Sequence, residues 1–131
     1  MAMRIYLAGP WAKRETDVED AREFLRSAGF LVDCRWIDND STDHSPESMC
    51  QEAHNDIQDI ESSDAVVVLN NTGAPKSEGK AFETGIAFML GLPIVVVGPH
   101  SHIFQYLPDI DVVDSLQDAV DRLLDHASGW E

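Results

Sequence analysis

The sequence has little positive charge. Nine lysines and arginines stand against 24 aspartates and glutamates among its 131 residues, and the net charge at pH 7 is −15. Proteins that bind nucleic acids or anionic lipid surfaces carry basic patches, for which this composition leaves little material. We therefore expect no nucleic-acid partner and no binding to a membrane.

Cysteine and long apolar segments are also scarce. The two cysteines, Cys34 and Cys50, fit neither a disulfide framework nor a zinc-binding pattern. The apolar stretches are too short to cross a bilayer. The N-terminus runs directly into a strand-like segment at residues 4–8 and lacks the pattern of a signal peptide. Together these absences predict a reduced, cytoplasmic protein.

Several common functional motifs are absent. Neither a G-x-G-x-x-G fingerprint nor a P-loop follows the first strand-like segment. The acidic segment at residues 38–43 lacks the glycine and the final glutamate of a calcium loop. His100 and His102 have no third ligand at a recognisable spacing. No G-x-S-x-G elbow is present, and neither cysteine has a histidine partner at a recognisable position. We expect no metal ion and no serine or cysteine nucleophile.

What the sequence does contain is enough apolar material for a core. At 44% hydrophobic residues, the chain is predicted to form one compact domain over residues 1–131. Strands are predicted at 4–8, 30–35, 65–69, 94–97 and, as a short fifth one, 110–113; helices are predicted at 16–28, 46–62, 77–90 and 115–126. This alternation, with two continuously apolar strands, indicates an α/β fold: an open parallel sheet of four or five strands with helices on both faces.

In sheets of this kind, ligands bind outside the carboxyl ends of the strands. The segments that follow predicted strands are 6–11, 36–43, 70–77 and 98–104. Tyr6 lies near the end of the first strand. Its hydroxyl group either reaches the crevice or, as for many tyrosines in strands, belongs to the core.

A carboxylate occupies an unusual place in the helix predicted at 77–90. Glu83 lies in its second turn with Gly79 and Ala87 four residues to either side, so little bulk surrounds it and a ligand has room to approach. The side chains expected to form the core stripe of this helix, with Glu83 at its border, are Phe82, Ile86, Met89 and Leu90. Glu83 either contacts a ligand or complements the positive end of the helix dipole.

Asp56 is a second carboxylate beside an apolar surface. In the helix predicted at 46–62, the apolar residues at helical spacing are Met49, Ala53, Ile57 and Ile60. Asp56 lies at the edge of this stripe, whereas Glu52 and Asp59 are expected to face solvent. A carboxyl group at such a boundary is a candidate for a raised pKa; an aspartate that caps a loop or pairs with an arginine occupies similar positions.

Three segments taken together resemble one family. They are Tyr6–Pro10 (YLAGP), Asn55–Ile57 (NDI) with the following Asp64–Val68 (DAVVV), and Gly79–Ala87 (GKAFETGIA). In this order the sequence resembles, over nearly its whole length, the nucleoside 2-deoxyribosyltransferases, a family that also contains 2'-deoxynucleoside 5'-phosphate N-hydrolases. The AFETG block with the upstream ND is its most specific part. The resemblance implies a small Rossmann-like or flavodoxin-like domain.

The same resemblance implies roles for three residues. Glu83 would be the nucleophile that attacks C1' of the sugar, Asp56 would exchange a proton with the base, and Tyr6 would hold Glu83 through a hydrogen bond. Two carboxylates acting on an oxocarbenium-like transition state, with a covalent glycosyl-enzyme between two steps, form a consistent mechanism. It needs no metal ion or organic cofactor, and its partners are nucleosides or nucleotides and free nucleobases.

Residues after the strands are implied to bind the substrate. They are Gly9, Pro10, Trp11, Asn70, Ser77 and Gly79. Ser77 stands six residues before Glu83, where many transferases of the family carry an aspartate that contacts the base. A serine there resembles the nucleotide hydrolases, in which it helps to hold the 5'-phosphate.

The phosphate-binding pattern of those hydrolases is otherwise incomplete. Pro10 and Ala12 stand where they carry a serine and an arginine, and Lys13 and Arg14 are nearby substitutes. Three functions remain open. Transfer of a deoxyribosyl group to an acceptor base comes first and hydrolysis of a 2'-deoxynucleoside 5'-monophosphate second. A non-catalytic module that binds or senses nucleotides is the rival from another class.

The resemblance also implies an oligomer, a homodimer or larger, in which a neighbouring subunit reaches into the site. The segment that would contribute is GPHSHIFQYLP at residues 98–108. Its candidate residues are Ser101, His102 and Gln105.

Overall fold

Four parallel strands form the centre of the structure, a computed structural model that describes residues 2–128. They are Ile5–Ala8 (β1), Ala65–Leu69 (β2), Ile94–Val97 (β3) and Ile110–Val113 (β4), hydrogen-bonded in the order β1-β2-β3-β4. Every residue of β1, β2 and β3 is buried, as expected for a parallel sheet that is covered on both faces. The predicted α/β fold is confirmed.

Within residues 2–128, four α-helices cover these strands. They are Glu19–Ser27 (α1), Pro46–Glu61 (α2), Glu78–Met89 (α3) and Leu116–Ala127 (α4). α1 contacts α4, and α2 contacts α3. Connections between parallel strands are right-handed. After β1 the chain first passes to one side of this strand and then adds β2, β3 and β4 on its other side, which places these two helix pairs on opposite faces of the sheet. None of these helices is long and apolar enough to span a membrane.

Serines set the start of three helices. The side-chain oxygens of Ser45, Ser77 and Ser115 each accept a hydrogen bond from the backbone N–H three residues later, which satisfies one of the free donors of the first helical turn. α1 has no such cap. It continues instead from a π-helical turn, Arg14–Val18, and so begins later than the sequence predicts.

The strand predicted at residues 30–35 is wrong except at one position. Leu31 forms a single parallel bridge beside β1, and the chain then turns into a short 3-10 helix, Arg35–Asp38. The indole N–H of Trp36 donates to the Leu7 carbonyl at 2.9 Å. A side chain thus satisfies the backbone group of β1 that a longer strand would have used.

The bridge at Leu31 still defines the topology. With it, the spatial order is the Leu31 segment, β1, β2, β3 and β4, the order of flavodoxin-like sheets. The chain adds one neighbour on one side of β1 and all later strands on the other. A crevice therefore opens at the carboxyl ends of β1 and β2.

The core stripe predicted for α3 is wrong. The buried residues of α3 are Lys80, Thr84 and Ala87. Phe82 is 65% exposed and Met89 is 83% exposed; Leu90 is also exposed, and Ile86 is half-buried. The connection from β3 to β4 contains the 3-10 helix Ile103–Tyr106 and no α-helix. This connection therefore supplies no α-helix that could pack against α3.

Gly98 allows two chain segments to meet at the carboxyl ends of β2 and β3. Its φ is +102°, a conformation that favours glycine. A Cβ at this position would lie 2.6 Å from the backbone nitrogen of Asn71. The close contact holds the segment that follows β2, including Asn70, against the segment that follows β3.

Candidate active site

A pocket of about 680 Å³ opens between α2 and α3. Its lining comes from the turn after β1, from the 3-10 helix and loop at residues 35–41, from α2, and from the first turns of α3. The pocket lies where the chain changes direction beside β1, the position at which doubly wound sheets bind ligands.

α2 forms a wall of this pocket, which explains why its apolar stripe is not buried as predicted. Ile60 is the buried residue of the stripe, whereas Met49 and Ala53 are exposed and Ile57 is half-buried. The face of α2 that the sequence assigned partly to solvent turns toward the pocket. Glu52 and Asp56, one helical turn apart, both line it.

Tyr6 and Glu83 form a hydrogen-bonded pair at the pocket. Tyr6 has no exposed surface, and its hydroxyl group donates a hydrogen bond to the Glu83 carboxylate across 77 residues of sequence. Burial raises the pKa of Glu83 to about 7; the Tyr6 hydrogen bond opposes this shift, and the charge of Asp56 adds to it. Burial and the Glu83 charge also raise the pKa of Tyr6, so its phenol stays protonated and remains a donor.

Asp56 has a raised pKa as well. Burial and, to a smaller extent, the charges of Asp59 and Glu52 raise it to about 6 against the opposing charge of Arg35. No hydrogen bond from the described residues reaches its carboxylate, which faces the pocket. Near neutral pH the site thus contains two interacting carboxyl groups that titrate within about one unit of each other, a pattern typical of an acid and a nucleophile in one active site.

Two tryptophans supply an aromatic wall. Trp11 and Trp36 both line the pocket, with ring centroids 6.4 Å apart and an interplanar angle of 35°. Trp36 is fixed by its bond to the carbonyl of Leu7. The Arg14 guanidinium lies 3.9 Å from the Trp11 ring centroid, so Trp11 is held although it is largely exposed. Flat, rigid rings beside carboxylates suit a planar heterocycle.

The family profile described as nucleoside 2-deoxyribosyltransferase matches residues 5–117 of the sequence. The chain belongs to this family. The matched region begins at β1, ends in α4, and contains Tyr6, Asp56 and Glu83. Membership in the nucleoside 2-deoxyribosyltransferase family supports an enzyme that acts on N-glycosidic bonds.

Solved structures of similar fold include two 2-deoxyribosyltransferases and one N-glycosidase. The 2-deoxyribosyltransferase of Bacillus psychrosaccharolyticus is 22% identical, with a TM-score of 0.69 over 90% of each chain. The CMP N-glycosidase of Clostridium botulinum is 21% identical, with a TM-score of 0.59 over 92% of this chain and 97% of that one. The 2-deoxyribosyltransferase of Leishmania mexicana is 19% identical, with a TM-score of 0.63 over 95% and 98%. At these identities the likeness shows the fold. No curated protein matches the sequence.

The residues expected to bind substrate in this family member divide into two groups. Gly9, Trp11, Ser77 and Gly79 line the pocket. Pro10 and Asn70 do not line it: Pro10 is buried, and the Asn70 side-chain amide donates to the Pro99 carbonyl at 3.0 Å and to Gln105 at 3.1 Å. Gly79 leaves open space, since a Cβ there would meet Ser77 Oγ only at 3.5 Å.

The segment expected to reach a neighbouring subunit is held partly within its own chain. The side-chain carbonyl of Gln105 accepts a hydrogen bond from the Ser101 backbone N–H at 2.7 Å, and Gln105 is buried. The His102 ring lies 6.0 Å from that of Phe104. None of Ser101, His102 and Gln105 lines the pocket of its own chain. Ile103, Phe104 and Tyr106 of the same segment are exposed.

The cations that line the pocket within the described residues are Arg35 and Lys80. Arg35 is paired with Asp59, with 2.9 Å between Nη2 and Oδ1. Lys80 is buried, and its Nζ donates at 3.0 Å both to the Leu69 carbonyl and to Asn70 Oδ1. Neither Lys13 nor Arg14, the substitutes considered for phosphate binding, lines the pocket.

Sequence reasoning assigned no role to several lining residues. They are Arg35, Trp36, Asn39 and Glu52. The segment at 36–43 was expected near the crevice because it follows the predicted second strand, but nothing in it singled out Trp36 or Asn39. The available signal for Glu52 was its position one helical turn before Asp56, on the same face of α2.

Proposed function

We propose that the chain is a nucleoside 2-deoxyribosyltransferase that cleaves the N-glycosidic bond of a 2'-deoxynucleoside and passes the deoxyribosyl group to a second nucleobase. The observation that carries this proposal is the hydrogen bond from the buried Tyr6 hydroxyl group to Glu83, beside a pocket that Asp56 also lines. A carboxylate held by one donor and surrounded by little water is suited to attack a sugar carbon.

In the first step, a Glu83 oxygen forms a bond to C1' and the bond between C1' and the base nitrogen breaks. The electron pair of the broken bond goes to the base, and the protonated Asp56 carboxyl group gives its proton to a ring nitrogen of the base. The products are a glycosyl ester on Glu83 and a neutral free base. The Tyr6 hydroxyl group fixes the direction of the attacking carboxylate.

In the second step, an acceptor base takes the place of the first. Its ring nitrogen bonds to C1', its proton passes to the Asp56 carboxylate, and Glu83 leaves as a carboxylate. One glycosidic bond is exchanged for another of similar energy, so the reaction needs no external energy source and no cofactor.

A second candidate is a 2'-deoxynucleoside 5'-monophosphate N-hydrolase, in which water resolves the glycosyl ester. Ser77 supports it, because Ser77 lines the pocket where α3 begins, and a helix N-terminus favours an anion. The positions of Lys13 and Arg14 outside the pocket count against a bound phosphate. We therefore rank transfer above hydrolysis.

We also propose that the protein works as a homodimer or a larger homo-oligomer. The large apolar side chains exposed on α3 and on the segment after β3, together named the α3 surface, are those that we propose a second copy covers. Its members are Phe82, Met89, Leu90, Ile103, Phe104 and Tyr106. Large exposed apolar side chains of this kind are candidates for burial in a contact between proteins.

The test is a base-exchange assay. The protein is incubated with 2'-deoxynucleosides and, separately, with their 5'-monophosphates, each with and without a free acceptor base. Exchange with nucleosides supports the transferase, and release of base from monophosphates alone supports the hydrolase.

Glu83→Ala should abolish turnover while leaving the melting curve cooperative, and intact-mass analysis of the native protein should show one deoxyribosyl group added at Glu83. Turnover by Glu83→Ala at a near-native rate would refute both. Absence of turnover, with a higher Tm in the presence of a nucleotide, would favour a binding module.

A further inference from the structure

Two carboxyl groups on the α2 wall of the pocket have oxygens that are free to contact a ligand. Glu52 uses one carboxylate oxygen to accept a bond from the Asn39 side chain, and its second oxygen is free within the described contacts. Asp56 accepts no bond from the described residues. The Gln51 side-chain amide, a potential donor, is bound to Asn55 Oδ1 at 2.9 Å.

Within the described contacts, the cations of the pocket are bound to partners other than Glu52. The Arg35 guanidinium is held against the next turn of α2, where it donates at 3.2 Å to the Asn55 carbonyl and to Gln58 Oε1 and pairs with Asp59. The Lys80 ammonium group points to the end of β2 and to Asn70. A ligand that contacts Glu52 must therefore bring a hydrogen-bond donor, whereas Asp56 can donate to an acceptor when its carboxyl group is protonated.

The spacing of the two carboxyl groups suits a planar ligand edge. Glu52 and Asp56 stand four residues apart on α2, and side chains at this spacing are neighbours on one helix face. Both line the same pocket as Trp11 and Trp36. A heterocycle beside the aromatic wall can present one edge to the two carboxyl groups.

We propose, on the basis of the function proposed above, that Glu52 and Asp56 bind the nucleobase as a pair and select bases in which an exocyclic amino group stands next to a ring nitrogen. Adenine and cytosine have this arrangement. Hypoxanthine and uracil, which carry a keto oxygen in place of the amino group, do not.

The chemistry of the bases gives the reason for this selection. The amino group donates to the Glu52 carboxylate while the adjacent ring nitrogen receives the Asp56 proton; in adenine that nitrogen is N7 and in cytosine it is N3. The raised pKa of Asp56 keeps a proton available for this transfer near pH 6. In a keto base the carbonyl oxygen faces the Glu52 carboxylate, so two acceptors meet without a hydrogen between them, which disfavours binding of that base.

The experiment uses substrate pairs that differ only in this group. The ratio of kcat/KM for deoxyadenosine over deoxyinosine, and for deoxycytidine over deoxyuridine, is measured at a fixed acceptor base. Because a hydrogen bond to a charged group is involved, we expect a preference of about 10–100-fold for the amino substrate in the native protein. Glu52→Gln, which adds an N–H donor and keeps an acceptor for Asn39, should remove most of this preference. A residue that only supported the fold would lower both rates and leave the ratio unchanged.

Glu47→Gln is the matched control, since it removes the same charge from an exposed position of the same helix, outside the pocket lining. It should keep the native ratio. Calorimetric binding of adenine and hypoxanthine separates this inference from the proposed reaction, because it needs no turnover. Tighter binding of adenine that Glu52→Gln abolishes would support base selection even if no base is exchanged. Equal binding, tighter binding of hypoxanthine, or no binding of either base would overturn it.

Discussion

Burial raises the pKa of Glu83 from 4.5 to about 7, so the folded protein retains a proton at this residue that the unfolded chain releases at lower pH. Between these two values the folded state binds more protons than the unfolded state. The free energy of unfolding therefore falls as pH rises through this range, and above about pH 7 the folded protein carries the full cost of a buried carboxylate. Tyr6 reduces that cost through one hydrogen bond and does not remove it.

Replacing Glu83 should thus stabilise the protein in alkaline solution. Glu83→Gln cannot ionise and still accepts a hydrogen bond from Tyr6. At pH 8 we expect its Tm to exceed that of the native protein by about 3–6 °C, which corresponds to roughly 1 kcal/mol in a domain of this size. The gain should shrink at pH 5, where native Glu83 is mostly protonated. Thermal unfolding at both pH values checks this; an equal gain at both, or a gain shared by the exposed Glu47→Gln, would contradict the assignment.

The two carboxyl groups should also give activity a narrow pH range. The proposed first step needs Glu83 ionised and Asp56 protonated, and their pKa values are about 7 and about 6. Because the ionised group is the one with the higher pKa, only a minority of molecules carries the reactive combination, and its population is largest between these two values. We expect a bell-shaped profile of kcat/KM with its maximum there. A profile that stays flat from pH 5 to pH 8 would be inconsistent with this pair.

Tyr6→Phe should move that profile. Without the hydroxyl group, the hydrogen bond that lowers the pKa of Glu83 is lost, so the pKa of Glu83 rises and the optimum shifts to higher pH. Loss of a hydrogen bond to a charged group costs about 1.5–3 kcal/mol, so kcat/KM at the native optimum should fall by about 10–100-fold. Steady-state kinetics across pH measure both effects. A loss of rate with an unmoved optimum would mean that Tyr6 acts on the substrate instead of on Glu83.

At the scale of elements, the ends of β2 and β3 depend on one glycine. Gly98→Ala combines a left-handed backbone conformation with a Cβ 2.6 Å from a backbone nitrogen. Strain and overpacking of this kind cost about 1–3 kcal/mol each, so chemical denaturation should show a loss of at least about 2 kcal/mol.

Two other glycines separate the contributions to that loss. Gly29→Ala has the same kind of φ, +99°, but open space around it, and should cost only the strain. Gly85→Ala lies in the middle of α3 with open space and should be neutral or stabilising by about 0.5–1 kcal/mol. If Gly98→Ala were no worse than Gly29→Ala, the close contact with Asn71 would carry no energy.

The same elements show how far the sequence alone reaches. The start of α3 at Ser77 and its end before Gly91 follow from local signals, because a cap or a positive φ depends only on residues within one turn. The buried face of α3 depends on how closely the helix approaches the sheet and on what covers its other side. Because these factors are set by the rest of the fold, the sequence pattern of α3 alone did not predict that Lys80, Thr84 and Ala87 are its buried residues.

The candidate site follows the same division. The position of Tyr6 near the pocket was expected from the end of the first strand, and those of Asp56 and Glu83 from the borders of their apolar helix stripes and from the resemblance of the motif segments to the family. The contribution of Glu52 was not, because it depends on the loop at 35–41, which folds over α2 and places Asn39 against the carboxylate. Short loops of irregular conformation have no periodicity from which such a contact could be predicted.

At the scale of the whole molecule, the exposed α3 surface should determine the oligomeric state. Met89 is 83% exposed on this surface. A carboxylate there would be buried in the proposed interface, so Met89→Asp should convert the oligomer to a monomer in sedimentation velocity experiments. At concentrations low enough for the native protein to be monomeric as well, the Tm of the variant should equal that of the native protein. Leu124→Asp is the control, since Leu124 is an exposed apolar residue on α4, on the opposite face of the sheet. Dissociation by Leu124→Asp, or a native protein that is monomeric at micromolar concentration, would contradict this interface.

The hydrogen-bonded chain from Gln105 through Asn70 to Lys80 has a consequence for kinetics. Gln105 belongs to the same short helix as the exposed Ile103 and Phe104, while Lys80 lies one turn before Glu83, the proposed nucleophile, on α3. In the proposed oligomer, a second copy that immobilises this short helix would also restrain the first turn of α3, and with it the orientation of the proposed nucleophile. We therefore expect specific activity to depend on dilution: turnover per chain should fall as the enzyme concentration drops below the dissociation constant of the oligomer, and should recover on reconcentration, with no inhibitor or activator present.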